Sequence, residues 1–100
     1  MGRNVINSPK IILFRDYNFQ DSEPFETDED ENELPEEYND KIKSYFVANG
    51  RWVLYPHKDH HFTEMGPWTA EQGEACADVR LKGIPVTSPH AITSLKTTST

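Results

Sequence analysis

Apolar residues in this chain gather in short runs separated by turn-forming residues, a pattern of strands rather than helices. The run "KIILFRD", Lys10 to Asp16, is rich in β-formers and closes on the polar "DYN". "SEPFETD" follows a turn, and its Pro24 removes one ladder donor, which predicts an edge or irregular strand. "KIKSYFVAN", Lys41 to Asn49, has helix-like spacing in part. Its Ile, Tyr, Phe and Val content and the Asn49-Gly50 pair favour a strand entering a tight hairpin, with "RWVLYP" as the exit strand and Pro56 its end. "HFTEM" reads as a further strand closed by Gly66-Pro67, and "HAITSLK", His90 to Lys96, as the last. Between them, Thr69 to Lys82 mixes helix formers with Gly73 and supports no more than a helical turn or irregular loop. Ile12, Phe14, Ile42, Trp52, Leu54 and Ile92 are the expected shared core.

Many short strands, frequent turns and no long helix predict an all-β, two-sheet sandwich. The pattern also repeats. "ILFRDYNFQDSEPF" lies over "VLYPHKDHHFTEM" with Phe14 on Tyr55, and "KIKSYFV" over "AITSLKT" with Ile42 on Ile92. The expected organisation is a flexible arm at 1–9, one domain at 10–96 with halves at about 10–49 and 50–96, and a tail at 97–100.

Composition changes this picture in two ways. With 100 residues and a 35% hydrophobic share, the chain has room for one modest core. Its net charge of −7 is concentrated, ten of 17 acidic residues falling between Glu23 and Asp40, where there is no Lys or Arg. This segment is expected to be a solvated loop, with at most a brief strand around Leu34. A surface of that sign repels phosphate backbones, so nucleic acid is not an expected partner, whereas cations or basic proteins are attracted. Cys76 is alone, so no disulfide inside the chain is available. No secretory signal is visible, and the longest apolar run, "IILF", is far short of the roughly 20 residues of a membrane helix. The expectation is a cytoplasmic protein without a membrane partner. Self-association and the identity of a specific partner stay open.

Taken with the twofold repeat, the residues resemble a βγ-crystallin domain, in which two Greek key motifs form the sandwich. In that family each motif opens with a strand, an aromatic, four residues, a second aromatic, one residue and a Gly. Here Phe14 and Phe19 match, with Asp21 in the glycine position, which commonly needs a positive φ that Asp tolerates. In the second motif Tyr55 matches, while His60 replaces the second aromatic and Phe62 the Gly. The join "NDKIKSYFVANGRWVLY" resembles the family's run from a polar pair through a Ser-bearing strand to a Trp strand. The resemblance implies that Ser44 and Ser94 serve the fold by bonding to the hairpin closing over them.

Many members of the family bind calcium through a motif of two Asn or Asp residues, two of any type, Ser or Thr, and Ser, with one copy in each Greek key. Each ion takes oxygens from the front of one arm and the fifth-position hydroxyl of the other, and oxygen ligands suit this hard cation. The first arm here runs from Asn39 and Asp40 to Lys43 and Ser44, and the second from Pro89 and His90 to Thr93 and Ser94. The resemblance therefore implies one surviving clamp, Asn39 and Asp40 with Thr93, which is weak or absent as a calcium site. The other, Lys43 with Pro89 and His90, is disabled. An ammonium about 4 Å from a divalent ion at an effective dielectric near 20 costs about 8 kcal/mol before screening.

Other candidate chemistry is thinner. His57, His60 and His61 are ligand types for a transition metal, but no Cys or fourth fixed ligand accompanies them, which favours a polar hairpin with His60 in a packing role. No nucleophile elbow, Gly-rich phosphate loop or HExxH motif points to an enzyme. Trp52 and Trp68 read as packing residues rather than a sugar platform. The resulting expectation is a non-catalytic, structural or stress-protective protein with at most one weak calcium site. The alternative is a toxin or inhibitor module on a related Greek key fold, against which stand the single Cys and the lack of a signal.

Overall fold

A computed structural model of the chain describes residues 9–56, 67–86 and 91–97. Among these residues there are seven strands: β1 (Lys10–Phe14), β2 (Phe25–Thr27), β3 (Ser44–Asn49), β4 (Trp52–Tyr55), β5 (Trp68–Ala70), β6 (Ala75–Cys76) and β7 (Ser94–Thr97). They form two antiparallel sheets, one in the order β2-β1-β3-β6 and the other β5-β4-β7. β2, which follows Pro24, is an edge strand as expected, since a proline there costs no inner ladder bond. The region 69–82 holds more than one turn: it contributes β6 and a 3-10 turn at Val79–Lys82. The expected strand "HFTEM" and the arm at 1–8 lie outside the described residues.

The sheets are tied by exchanged segments. β6 lies late in the chain yet pairs with β3 of the first sheet, Tyr45 opposite Cys76. In return Glu31 pairs with Leu95 of the second sheet, through 3.0 Å backbone bonds in both directions. The register bears out the internal repeat. Phe14 stands opposite Ser44 in one sheet and Tyr55 opposite Ser94 in the other. Each half thus completes the other's sheet.

Three expectations need correction. Asn49-Gly50 does not close a hairpin, because β3 and β4 belong to different sheets. Gly50, at φ +79°, turns the chain from one layer to the other, its N–H donating to Gln72 Oε1 and the Trp52 indole donating to Asn49 O. Second, the buried residues of β1 are Ile11 and Leu13, while Ile12 and Phe14 lie on the half-buried outer face. Strand residues alternate between faces, so a one-residue error of phase moves the whole set. Ile42, Trp52, Leu54 and Ile92 do enter the core, joined by Tyr45, Val47, Leu95 and others. Third, the acidic segment is not a simple solvated loop. Its charged side chains are mostly exposed, but its backbone bridges to β7, Leu34 is buried, and Asp30 accepts the Thr97 N–H.

Candidate functional site

The hairpin after β1 sets the geometry of the first half. Phe14 and Phe19 meet edge to face with ring centroids 5.7 Å apart, as their spacing predicts. Ser44 is fully buried, its hydroxyl donating to Asp16 O at 2.7 Å and accepting from Phe19 N–H at 3.0 Å. Asp21, however, does not supply a positive φ, which falls on Asn18 and Phe19 instead. Asp21 holds Arg15, accepting from its backbone N–H, Nε and Nη2 at 2.8 to 2.9 Å, and from Glu23 N–H at 3.0 Å. The Arg15 guanidinium keeps the Asp21 carboxyl far below the usual carboxylate range. A hairpin that a glycine would shape by conformation is closed here by an ion pair.

The chain between Pro35 and Lys41 folds into consecutive turns, with Tyr38 and Asn39 N–H both donating to Pro35 O. This winding presents Asn39 and Asp40 at the head of the strand that carries Ile42 into the core. Asp40 sits at φ +63°, a left-handed conformation that Asp tolerates better than most residues, and its N–H donates to Ile92 O at 3.2 Å. Thr93 arrives from the other half, its N–H on Tyr55 O and its carbonyl accepting Leu34 N–H. Its Oγ1 stands 3.2 Å from Asp40 Oδ1 and 3.2 Å from Ala91 O.

The structure thus brings Asp40 and Thr93, 53 positions apart, within bonding distance across the two halves. Asn39 Oδ1, next to Asp40 in sequence, is buried and has no hydrogen-bond partner among the described residues. A buried acceptor without a donor costs about 1–3 kcal/mol, and a cation satisfies an oxygen as a donor does. Two oxygens that each lie about 2.4 Å from a calcium ion are typically about 3 Å apart, close to the Asp40–Thr93 separation. Asp40 and Thr93 thus offer oxygens of the type and spacing that a calcium ion takes, one of them a carboxylate.

Lys43 occupies the position in the first half that Thr93 holds in the second. Its N–H donates to Phe14 O and its carbonyl accepts Val79 N–H, as Thr93 bonds to Tyr55 and Leu34. Its Nζ lies 5.6 Å from the ring centroid of Tyr17. The remaining predicted residues, Pro89, His90, His57, His60 and His61, lie outside the described residues.

A second polar cluster has no signal in the sequence. The buried Tyr45 donates its hydroxyl to Glu74 Oε2 at 2.8 Å, and Lys82 Nζ reaches the same oxygen at 2.7 Å. Burial pushes the Tyr45 phenol well above its ordinary value, with the Glu74 carboxylate adding to the effect. Burial alone would raise the Glu74 carboxyl, but bonds from Lys82, the Glu71 N–H and Tyr45 outweigh it and leave it lowered. Cys76 lies nearby with its Sγ on Asp78 O, and burial pushes its thiol up, away from the reactive thiolate. Tyr45 and Glu74 are 29 positions apart, beyond any local spacing rule.

No protein-family model matches the chain, and no curated protein matches it. Solved structures do. A βγ-crystallin from an archaeon is 24% identical, with a TM-score of 0.75, covering 91% of this chain and 99% of that one. The fifth crystallin domain of the non-lens protein Absent in melanoma 1 is also 24% identical, with a TM-score of 0.70 over 90% and 87%. A βγ-crystallin from Ciona intestinalis is 20% identical, with a TM-score of 0.71 over 88% and 98%. The paired Greek key halves, the exchanged segments and these likenesses agree: the chain has the βγ-crystallin domain fold.

Proposed function

We propose that this chain is a non-catalytic, structural or stress-protective βγ-crystallin-like domain with at most one calcium site. Asn39, Asp40 and Thr93 would hold the ion. The single observation that carries the site is the approach of Thr93 Oγ1 to Asp40 Oδ1 at 3.2 Å across the two halves. Bound calcium would supply a second tie between halves already joined by exchanged strands. The non-catalytic reading is supported by Cys76, the sequence's one thiol, which is buried and has its pKa raised. Among the described residues no helix is long and apolar enough to cross a membrane. A cytoplasmic location is part of the same proposal and rests on the single Cys.

Calorimetric titration of calcium into chelator-stripped protein tests the site. The expected result is one ion with a dissociation constant of about 10⁻⁵ to 10⁻³ M, since a clamp with one carboxylate belongs at the weak end of calcium affinities. Thr93→Ala and Asp40→Ala should each abolish the heat. Two tightly bound ions, or a site untouched by Thr93→Ala, would refute the assignment.

A further inference from the structure

Beside the clamp lies a solvent-open pocket of about 520 Å3 lined by Arg15, Tyr17, Asp40, Lys41, Lys43 and Val86. Three of these side chains are cationic and one is anionic, in a chain whose net charge is −7. The fold gathers them from three places: Arg15 just after β1, Lys41 and Lys43 just before β3, and Val86 after the Val79–Lys82 turn.

The cations differ in what they have free. Arg15 gives Nε and Nη2 to Asp21, so the edge that would grip a carboxylate in a bidentate manner is taken. Lys41 and Lys43 form no ion pair among the described residues. Lys43 is held near the Tyr17 ring, which also carries the Arg80 guanidinium at 4.5 Å. An aromatic face attracts cations, which helps keep this ammonium at the cavity wall despite its like-charged neighbours.

Ammonium groups bind oxyanions as point charges rather than by fork geometry. With the Arg15 fork occupied, charge does the selecting, and a dianionic phosphate gains more than a carboxylate. The cavity lies within the range of about 300–1,000 Å3 usual for small-molecule sites. It therefore has room for more than bare phosphate, and Tyr17 and Val86 offer an apolar wall. The acid-rich surface elsewhere repels long polyanions, which restricts the ligand to a small one. We propose that this cavity binds a small phosphomonoester, with Lys41 and Lys43 holding the phosphate and Tyr17 and Val86 against its organic part. Lys43 then has a ligand of its own, beside a clamp with which the lining shares Asp40.

The test is calorimetry on the full chain at low ionic strength with phenyl phosphate, inorganic phosphate and benzoate as probes. Phenyl phosphate should bind one to one, at least about tenfold more tightly than benzoate because of its second charge. Inorganic phosphate, lacking the ring, should fall between the two if the apolar wall contributes. Lys43→Gln should weaken phenyl phosphate at least about fivefold, whereas Asp40→Asn, which removes the lining's carboxylate, should strengthen it. Lys10→Gln, whose ammonium pairs with Glu26 away from this lining, should leave binding unchanged. Thermal denaturation checks that each variant folds, and Lys41→Gln replaces Lys43→Gln if the latter does not. Equal binding of benzoate and phenyl phosphate, parental affinity in both lysine variants, or no saturable binding by the parent at millimolar probe overturns the proposal.

Discussion

Leu34→Ala is the sharpest probe of the acidic segment, because a solvated loop and a docked one give opposite answers. Leu34 is 2% exposed and belongs to the core, and its N–H donates to Thr93 O at 2.7 Å. Truncation leaves that backbone bond available and removes only the buried side chain. Burying a leucine contributes about 1.5–3 kcal/mol, and the cavity left behind brings typical Leu→Ala losses to about 3 kcal/mol. A domain of this size is stable by about 5–15 kcal/mol, so the loss is a large fraction of the whole. The melting temperature should fall by about 12–24 °C, at about 4–8 °C per kcal/mol. Urea unfolding followed by tryptophan fluorescence measures the free-energy loss, since Trp52 is fully buried in the same core. The exposed neighbours provide the control: Asp28→Ala and Glu29→Ala should each stay within about 0.5 kcal/mol of the parent. If Leu34→Ala cost less than about 1 kcal/mol, like an exposed substitution, the segment could not be part of the sandwich.

Two further outcomes follow from the same geometry. The Asp21 carboxyl is depressed in the folded state, chiefly by its bonds from Arg15. A depressed carboxyl contributes stability above its unfolded value, near 4, that is lost as pH falls toward the folded value. Asp21→Asn should therefore lower the urea midpoint near neutral pH, with the gap to the parent narrowing toward about pH 2; a constant gap would count against the ion pair as its source. Gly50→Ala forces a side chain onto φ +79° at the crossing between sheets. It should cost about 1 kcal/mol or more in the same unfolding assay, while parental stability would show that the crossing does not need glycine.

Much of the architecture was legible in local pattern. Pro24 marked an edge strand, Phe14 and Phe19 met as their spacing required, and Ser44 bonded into the hairpin over it. The alignment of Phe14 on Tyr55 also reappears in the register, because equivalent residues face equivalent serines. Of the predicted clamp, Asp40 and Thr93 come together, and Lys43 takes the position equivalent to Thr93. Each of these depends on residue type at short range or on the repeat of one pattern.

Tertiary structure alone decided the rest. In "IILF" four apolar residues follow one another, so alternation cannot say which pair faces inward; packing against the second sheet selects Ile11 and Leu13. Asn49-Gly50 carries the local chemistry of a tight turn, and nothing nearby says whether the next strand pairs with the last or crosses to another layer. The acidic residues advertise solvent, yet one leucine and a few backbone bonds dock their segment onto β7. The basic cavity and the Tyr45–Glu74–Lys82 cluster are assembled from separated stretches, so their chemistry exists only once the halves are folded together. Local sequence determines where strands and turns form, because dihedral preference and side-chain period act over a few residues. Which strands become neighbours, and which charges meet, is set by burial summed over the whole chain.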